Sequence, residues 1–207
     1  MRIILATGNE HKKREIGEIL QAAGFQADLQ TMREAGCDRE IEETGTTFEE
    51  NALQKARAVR EALAGKDAPD DYVVIADDSG LEIDALNGEP GIYSARYLGE
   101  DTPHSKKNAD LLRRLEKVPD EKRTARFVCA VACVFPDGTE QTVRETMEGR
   151  IAHASTGTGG FGYDPIFCYE GYDKTNGELT PEEKNAISHR GKAFRSIAAF
   201  LSQNKTA

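Results

Sequence analysis

Residues 2–22 read Arg-Ile-Ile-Leu-Ala-Thr-Gly-Asn-Glu-His-Lys-Lys-Arg-Glu-Ile-Gly-Glu-Ile-Leu-Gln-Ala, and this stretch decides the fold class of the chain. Arg2 to Ala6 form a short apolar run that is typical of a buried strand, and Thr-Gly-Asn follows it at once. Residues 11–22 then carry apolar side chains at helical spacing. A strand that passes directly into a helix indicates an α/β protein, so we expect the alternation to continue.

The rest of the chain continues the alternation and adds a hairpin. The pattern predicts helices over 48–63, 108–115 and 190–202 and a helix that begins at Thr180, with a capping box at Thr47 to Glu50. It also predicts strands over 72–76 and 149–152, and a hairpin of strands 125–135 and 139–146. A tight hairpin joins antiparallel strands, whereas connections through helices permit parallel ones, so the sheet is predicted to be mixed. Residues 65–71 are predicted to form a polar surface loop.

Composition places the chain among ordinary globular proteins and limits its partners. The 207 residues are 38% hydrophobic and 30% charged, which suits one domain with a substantial core. The net charge of −9 argues against binding to a nucleic-acid backbone, although a local group of cations can still bind a small anion. No apolar run approaches the ~20 residues that cross a bilayer, and no signal peptide is visible, so we expect a cytoplasmic protein with no membrane partner.

The spacing of cysteines and histidines argues against a zinc site. Four cysteines and four histidines are scattered along the chain. Cys129 and Cys133 would share one face of a predicted strand, too far apart to form a disulfide. We therefore expect buried free thiols and no zinc.

The turn after the first strand is a candidate anion site. Backbone N–H groups at the start of the following helix would face a bound anion, and the helix dipole would assist. Thr7 and Asn9 offer hydrogen bonds and Lys12 offers a positive charge, but the Walker sequence is absent. The alternative is an ordinary strand-to-helix turn in which Asn9 caps the helix.

Two acidic segments are candidates for a metal site. Asp77 and Asp78 follow the predicted strand, and adjacent strand residues point to opposite faces, so we expect only one of them to enter a given site. Carboxylates at the end of a strand suit Mg²⁺ and can also activate water. The acidic run at residues 40–43 could supply a second carboxylate. The alternatives are a solvated Asp loop and a charged surface run.

A glycine-rich segment and a basic segment complete the candidates. Residues 157–162 contain G-x-G-x-x-G, but no βαβ unit surrounds them, which argues against a dinucleotide site. Glycines here would let the backbone approach a flat ligand on which Phe161 or Tyr163 could stack, and the alternative is a plain hairpin loop. Residues 183–190 group Lys, Ser, His and Arg donors near a helix start, and no Ser/His/Asp triad can be assigned.

Six blocks in a fixed order resemble one known family, the inosine/xanthosine triphosphate pyrophosphatases, also called Ham1 or RdgB-type noncanonical purine nucleotide pyrophosphatases. The blocks are Ala-Thr-Gly-Asn (6–9), Glu-Glu-Thr-Gly-Thr-Thr-Phe-Glu-Glu-Asn-Ala (42–52), Ala-Asp-Asp-Ser-Gly-Leu (76–81), Pro-Gly-Ile-Tyr-Ser-Ala-Arg-Tyr (90–97), Gly-Thr-Gly-Gly-Phe-Gly-Tyr-Asp-Pro-Ile-Phe (157–167) and Glu-Glu-Lys-Asn-Ala-Ile-Ser-His-Arg-Gly (182–191). The resemblance covers nearly the whole chain.

The resemblance implies a fold and an activity. The fold would be an elongated mixed β-sheet with flanking helices, in a single domain over residues 1–207 whose two lobes surround a central active-site cleft. The activity would be Mg²⁺-dependent hydrolysis of ITP, dITP and XTP to the monophosphate and pyrophosphate. A homodimer would carry it out, and it would remove deaminated purines from the nucleotide pool.

The resemblance also implies roles for individual residues. Asp78 would be the general base and a metal ligand, and Glu42 or Glu43 would complete the Mg²⁺ site. The substrate-binding residues would be Thr7, Gly8, Asn9, Glu10, His11, Lys12, Lys55, Ser79, Phe161, Gly162, Tyr163, Asp164, Lys184, His189 and Arg190. Thr7 to Lys12 would hold the triphosphate, helped by Lys55, and Ser79 would lie beside the substrate. Phe161 to Asp164 would line the base pocket, and Lys184, His189 and Arg190 would reach the base and its neighbouring phosphate. Small residues are common in the family where Glu10 and His11 stand, which affects only the local fit of the loop.

Three other functions are compatible with parts of the sequence. A Maf-like pyrophosphatase for modified pyrimidines has different motifs, and Phe-Gly-Tyr-Asp with Ser-His-Arg favours the purine family. A nucleotide sensor would bind without turnover and would not need Asp78 paired with an acidic residue at a metal. A general phosphatase would release orthophosphate instead of pyrophosphate.

Overall fold

A computed structural model of the chain describes residues 1–65 and 71–204. Its helices and longer strands are β1 (Arg2–Leu5), α1 (Glu10–Ala22), β2 (Asp28–Thr31), α2 (Phe48–Leu63), β3 (Tyr72–Ile83), α3 (His104–Arg114), β4 (Thr124–Val134), β5 (Glu140–Ile151), β6 (Phe167–Tyr169), α4 (Pro181–Ile187) and α5 (His189–Asn204). Short 3-10 turns connect several of these elements. Most of the polar loop predicted at 65–71 lies outside the described residues.

The strands form a six-stranded sheet in the order β2-β1-β3-β4-β5-β6. β1 is parallel to both β2 and β3, with Leu5 level with Thr31 on one side and with Ile75 on the other. β5 and β6 are antiparallel, with Arg150 opposite Cys168. The predicted mixed α/β sheet is therefore confirmed.

The described chain forms two compact units. The first unit comprises residues 1–78, 129–145 and 190–207, and the second comprises residues 79–128 and 146–189, in both cases as far as these are described. Each unit has its own hydrophobic core. The grouping of residues 1–207 into a single domain with two lobes stays a prediction.

The core of the first unit confirms the predicted helical faces. α1 and α5 bury the apolar side chains that recur at helical spacing, and β4 adds Cys129, Val131 and Cys133 from alternate strand positions. Burying a large apolar side chain stabilises a fold by about 1.5–3 kcal/mol, so these stripes fix where each helix docks. The stripes of α1 and α5 place in this core Ile16, Ile19, Leu20, Phe194, Ile197, Ala198 and Leu201. The predicted stripe of α2 is also buried, through Phe48, Ala52, Ala56, Val59 and Leu63.

The core of the second unit lies where the far end of β3 meets α3 and β6. Leu81 of β3 and Leu111 of α3 are fully buried in this cluster. Phe127 of β4 and Phe167 of β6 pack with their ring centroids 4.6 Å apart. This core supports the turns that carry the glycine-rich segment, since Tyr163 is one of its buried members.

Three predicted boundaries are wrong. β3 does not end at residue 76 but runs to Ile83, because lysine and arginine side chains neutralise the two aspartates inside it. The predicted strands 139–146 and 149–152 are one strand, β5, in which Gly149 leaves room for the carbonyl of Cys168. α3 begins at His104 and not at residue 108, because its first turn is polar and lacks apolar periodicity.

The helix starts follow the capping chemistry only in part. Thr47 accepts a hydrogen bond from the Glu50 N–H at 3.1 Å, but the Glu50 carboxylate accepts from the Thr46 N–H, so the predicted capping box at α2 is half formed. Thr180 and Glu183 form a complete capping box at α4, with Pro181 at the first helical position. The predicted helix start at Thr180 is thus confirmed.

The prediction about the cysteines has an outcome in the structure. All four cysteines are buried free thiols, as the spacing predicted. In the described ranges, no helix combines the length and the hydropathy that crossing a lipid bilayer requires.

Candidate active site

Asp77 lies in β3 at the centre of a partly buried ion-pair group, here termed the Asp77 cluster (Lys12, Glu15, Asp77 and Arg190). Lys12 Nζ donates to both carboxylate oxygens of Asp77 at 3.1 Å, and Arg190 Nη2 donates to Oδ2 at 3.2 Å. Arg190 Nη1 donates to Glu15 at 2.9 Å. Burial would raise the pKa of Asp77, but Lys12 and Arg190 outweigh it and hold that pKa well below its ordinary value. Asp77 therefore stays ionised and fixes two cations.

Asp78, the next residue, belongs to a different group, the Asp78 cluster (Glu43, Asn51, Lys55 and Asp78). Asn51 Nδ2 donates to Asp78 Oδ2 at 3.2 Å, and Lys55 Nζ lies 3.3 Å from Asp78 Oδ1 and 2.5 Å from Glu43 Oε1. Burial raises the pKa of Asp78, with Glu43 adding to the rise and Lys55 opposing it. For Lys55, burial acts to lower the pKa, but Asp78, Asp77 and Glu43 raise it overall.

The alternation of side chains along β3 explains why adjacent aspartates have separate partners. Asp77 faces α1 and the start of α5, which carry Lys12 and Arg190. Asp78 faces α2, which carries Asn51 and Lys55 at positions four residues apart on one helix face. The expectation that only one aspartate enters a given site agrees with this geometry.

The Asp78 cluster has the donor set that Mg²⁺ prefers. Mg²⁺ takes oxygen ligands, commonly one or two carboxylates together with water and phosphate oxygens. Asp78 and Glu43 converge on a single ammonium group, so their oxygens already surround one cation. Within the described part of the chain, no group of three or more His, Cys, Asp or Glu residues could hold a metal ion. A two-carboxylate site completed by a phosphate is the arrangement that these residues fit.

The structure distinguishes the two glutamates that the sequence leaves open. Glu43 is half-buried and contacts Lys55, which in turn contacts Asp78. Glu42 is exposed. Only Glu43 is therefore brought to the carboxylate of Asp78.

The predicted phosphate loop caps α1. Asn9 Oδ1 accepts hydrogen bonds from the N–H groups of His11 at 2.9 Å and Lys12 at 3.3 Å, and Thr7 Oγ1 accepts from the Asn9 N–H at 3.2 Å. Asn9 is thus the N-cap, as the simpler alternative expected. Gly8, Glu10 and His11 are exposed. The loop therefore offers an accessible backbone at the positive end of a helix, with Lys12 beneath it.

The glycine-rich segment builds a third group within the second unit, the Asp164 cluster (Phe161, Asp164, Asn176 and Lys184). Asp164 Oδ2 accepts from the Phe161 N–H at 2.7 Å and from Lys184 Nζ at 2.5 Å. Asn176 Nδ2 donates to Oδ1 at 3.4 Å. Gly160 has a φ of 69°, and a Cβ there would overlap the Asp164 carboxylate, so glycine is required at this position.

Phe161 is presented to solvent, whereas Tyr163 is not. The Phe161 side chain is 59% exposed, and Lys184 Nζ lies 4.5 Å from its ring centroid. Tyr163 is buried, and its hydroxyl donates to the Ser94 carbonyl at 2.6 Å. Of the two aromatic rings that the sequence offers for stacking, the structure therefore presents Phe161.

The remaining predicted residues differ in their surroundings. His189 is buried and stacks on Phe127, with ring centroids 5.0 Å apart and planes 10° from parallel. Gly162 accepts a hydrogen bond from Asn108 Nδ2 at 3.1 Å. Ser79 follows Asp78 in β3 and is partly buried.

Sequence reasoning missed four polar partners of these groups, namely Glu15, Asn51, Asn108 and Asn176. Asn51 could have been found, because it precedes Lys55 by four residues on a predicted helix. No local signal indicates Glu15, Asn108 or Asn176, because each meets its partner only through the fold.

The mixed sheet, the capped basic loop after β1 and the paired aspartates of β3 define a protein of the Ham1 class. The family model described as "Ham1 family" matches residues 3–200. The chain therefore belongs to the Ham1 family.

Relatives and solved structures agree over almost the whole chain. A dITP/XTP pyrophosphatase of Clostridium perfringens is 47% identical over 95% of both chains, and one of Bacillus subtilis is 47% identical over 96% of both. The Staphylococcus aureus Ham1 protein matches with a TM-score of 0.86 at 40% identity, covering 99% of this chain and 100% of that one. A Ham1 protein from Coxiella burnetii gives a TM-score of 0.86 at 37% identity, over 98% and 99% of the two chains.

Proposed function

We propose that this chain hydrolyses noncanonical purine nucleoside triphosphates, namely ITP, dITP and XTP, to the nucleoside monophosphate and pyrophosphate. The observation that carries the proposal is the Asp78 cluster, in which a buried carboxylate, a second carboxylate and a lysine meet. Relatives such as those of C. perfringens and B. subtilis bear the name dITP/XTP pyrophosphatase. The reaction would take deaminated purines out of the nucleotide pool.

The phosphates would bind to the first unit. The loop of Thr7 to Lys12 offers backbone N–H groups and the positive end of α1, and Lys12 and Lys55 offer ammonium groups that aspartates hold in place. A triphosphate is strongly anionic, so preorganised cations stabilise the charge that develops on the leaving pyrophosphate. Asp78 and Glu43 would hold Mg²⁺, which when bound supplies further stabilisation of that charge.

Asp78 would accept the proton of the attacking water. A carboxylate with a raised pKa is a stronger base than an exposed aspartate, and burial gives Asp78 this property. Asn51 and Lys55 fix the orientation of its oxygens. Ser79, the next residue, would lie beside the substrate. A covalent intermediate is unnecessary, because an activated water suffices.

The Asp164 cluster would select the base. Lys184 carries only hydrogen-bond donors and Asp164 fixes its position, so it suits the 6-oxo group of hypoxanthine or xanthine. The 6-amino group of adenine would place donor against donor and leave both unpaired. Phe161 would stack on the purine ring, and Gly162, Tyr163 and His189 would support this pocket.

Arg190 would act on the phosphate side of the substrate. It donates to Asp77, whose carboxylate also holds Lys12 of the phosphate loop. In this arrangement Arg190 would hold the Asp77 carboxylate, which in turn positions the loop cation.

The experiment that tests the proposal measures pyrophosphate release from ITP, XTP, ATP and GTP, each with Mg²⁺ and with EDTA. We expect release that needs Mg²⁺ and strongly favours ITP and XTP. Orthophosphate as the product, or equal use of ATP, would contradict the proposed specificity. Tight binding of ITP without any release would instead indicate a sensor.

A further inference from the structure

Arg33 lies at the same edge of the sheet as the phosphate loop. β2 is parallel to β1, with Thr31 level with Leu5, so the residues that follow the two strands emerge side by side. The Met32 N–H donates to the carbonyls of Leu5 at 2.8 Å and Thr7 at 3.3 Å, which joins the two segments. In open α/β sheets, ligands bind at the carboxyl ends of the parallel strands.

The guanidinium group of Arg33 lies against Gly8 of the phosphate loop. A Cβ placed on Gly8 would be 3.7 Å from both Cζ and Nη2 of Arg33, which is ordinary contact distance. Gly8 is itself exposed and has no side chain that would separate its backbone from the guanidinium group. The Arg33 side chain is 68% exposed, so an anion bound at the loop can reach it.

Asp38 uses only one edge of the guanidinium group. Arg33 Nε donates to Asp38 Oδ1 at 3.2 Å. Across residues 1–65 and 71–204, no acceptor is hydrogen-bonded to either Nη atom of Arg33. Both members of the pair are highly exposed, and exposed ion pairs are weak, so Asp38 does not lock the side chain. The two Nη groups form the edge that commonly binds a phosphate through two parallel hydrogen bonds.

We propose that Arg33 binds the pyrophosphate end of the triphosphate. The inference rests on the proposed function, in which Asp78 on β3 activates the water that attacks the α-phosphorus. In the sheet order β2-β1-β3, β2 lies two strand spacings, about 10 Å, from β3. The phosphates then extend from β3 over the loop that follows β1, and the last of them reach the segment that follows β2.

Product inhibition separates this role from a general effect on the protein. Inhibition of ITP hydrolysis by pyrophosphate and by IMP is measured, with Mg²⁺ present, for wild type, Arg33→Ala, Asp38→Asn and Arg39→Ala. Arg39→Ala is the matched control, because it removes the same charge from an exposed position in the same segment. Isothermal titration with pyrophosphate alone gives a second readout that does not depend on turnover.

We expect Arg33→Ala to weaken pyrophosphate inhibition about fivefold to tenfold, as the loss of charge-assisted hydrogen bonds predicts, with IMP inhibition unchanged. Arg39→Ala should change neither the inhibition constant of pyrophosphate nor that of IMP by more than about twofold. Asp38→Asn also breaks the ion pair, but it should leave pyrophosphate binding equal or tighter.

Three results would overturn the inference. The first is an unchanged inhibition constant of pyrophosphate in Arg33→Ala, and the second is an equal weakening of inhibition by IMP and by pyrophosphate in that variant. The third is an equal weakening of pyrophosphate binding in Arg33→Ala and in Asp38→Asn. A wild-type protein that releases no pyrophosphate from ITP would instead overturn the proposed function, and the inference would fall with it.

Discussion

At the scale of single residues, Asp77 and Asp78 show how two adjacent side chains of one type acquire different environments. Lys12 and Arg190 lower the pKa of Asp77 despite its burial, whereas burial and Glu43 raise the pKa of Asp78. The first aspartate is therefore a permanent anion that organises cations, and the second is a stronger base. Divergent environments for two carboxylates are a common way to separate a structural role from a catalytic one.

Asp78→Asn should abolish turnover while nucleotide binding persists. The amide keeps the shape of the side chain but cannot accept the proton of water, and loss of a general base commonly lowers the rate 10²- to 10⁴-fold. The measurements are kcat with ITP and the dissociation constant of ITP by calorimetry. A wild-type rate in this variant would exclude Asp78 as the base.

Glu43→Gln and Glu42→Gln should differ in their requirement for Mg²⁺. Glu43 reaches the Asp78 cluster and Glu42 is exposed, so we expect the Mg²⁺ concentration for half-maximal activity to rise about 10-fold or more only in Glu43→Gln. Titration of activity with Mg²⁺ for both variants checks this. Equal responses of the two variants would remove Glu43 from the metal site.

Asp77→Asn should destabilise the protein by about 3 kcal/mol near neutral pH, because it removes a buried carboxylate from Lys12 and Arg190. A depressed pKa stabilises the fold above the unfolded-state pKa of about 3.9 and loses that effect as pH falls through the folded-state pKa. Urea unfolding of the wild type and of Asp77→Asn gives the free energy of unfolding of each. The difference between the two free energies should be constant from pH 7 to about pH 5 and should become smaller below about pH 4. A difference in free energy of unfolding that increases as the pH falls would contradict a depressed pKa of Asp77.

At the scale of elements, two neighbouring parallel strands and three helices position the Asp77 and Asp78 clusters. β1 and β3 run parallel up to Leu5 and Ile75, and β3 then continues past the end of its neighbour, which brings Asp77 and Asp78 beside the loop that follows β1. α2 supplies Asn51 and Lys55 from one face, because they are one helical turn apart. The Asp77 and Asp78 clusters thus depend on β1 with its following loop, on β3 and on α2 together.

Gly149→Ala and Gly17→Ala should have opposite effects on stability. A Cβ at Gly149 would overlap the carbonyl oxygen of Cys168 on β6, so we expect a loss of about 2 kcal/mol or more from disturbed β5–β6 pairing. A Cβ at Gly17 in α1 would meet Leu29 at 3.4 Å, an ordinary contact, and alanine should stabilise the helix by about 0.5–1 kcal/mol. Urea unfolding of the two variants tests the pair. A neutral Gly149→Ala would show that β6 moves aside without cost.

At the scale of the whole molecule, each of the two compact units has a hydrophobic cluster among its described residues, together with its own polar cluster or clusters. The first unit holds the Asp77 and Asp78 clusters, and the second holds the Asp164 cluster. The proposed division of labour follows this arrangement, with phosphate chemistry assigned to the first unit and base selection to the second.

The molecule is proposed to act as a homodimer in the cytoplasm, a prediction that rests on the family resemblance. Size-exclusion chromatography with light scattering should give twice the chain mass at micromolar concentration, with no dependence on ITP. A measured mass equal to that of a single chain at every protein concentration tested would contradict the homodimer.

The sequence by itself determined the α/β class, the mixed sheet, the helical faces and the segments that carry the site. These features depend on local periodicity and on short motifs, such as the Thr7–Lys12 loop or Thr180 with Glu183, whose physical meaning is confined to a few residues. It did not determine the end of β3, since that strand contains two aspartates that are stabilised by cations distant in the sequence.

Only the tertiary structure decided which polar groups meet. Glu43, and not Glu42, contacts Lys55, and Arg190 contacts Asp77. Phe161 is exposed whereas Tyr163 is buried. The Arg33 side chain lies against Gly8. Each of these contacts joins residues from different elements or depends on the packing around them. Long-range contacts are set by the docking of apolar faces, which brings polar side chains together without leaving any periodic signal in the sequence.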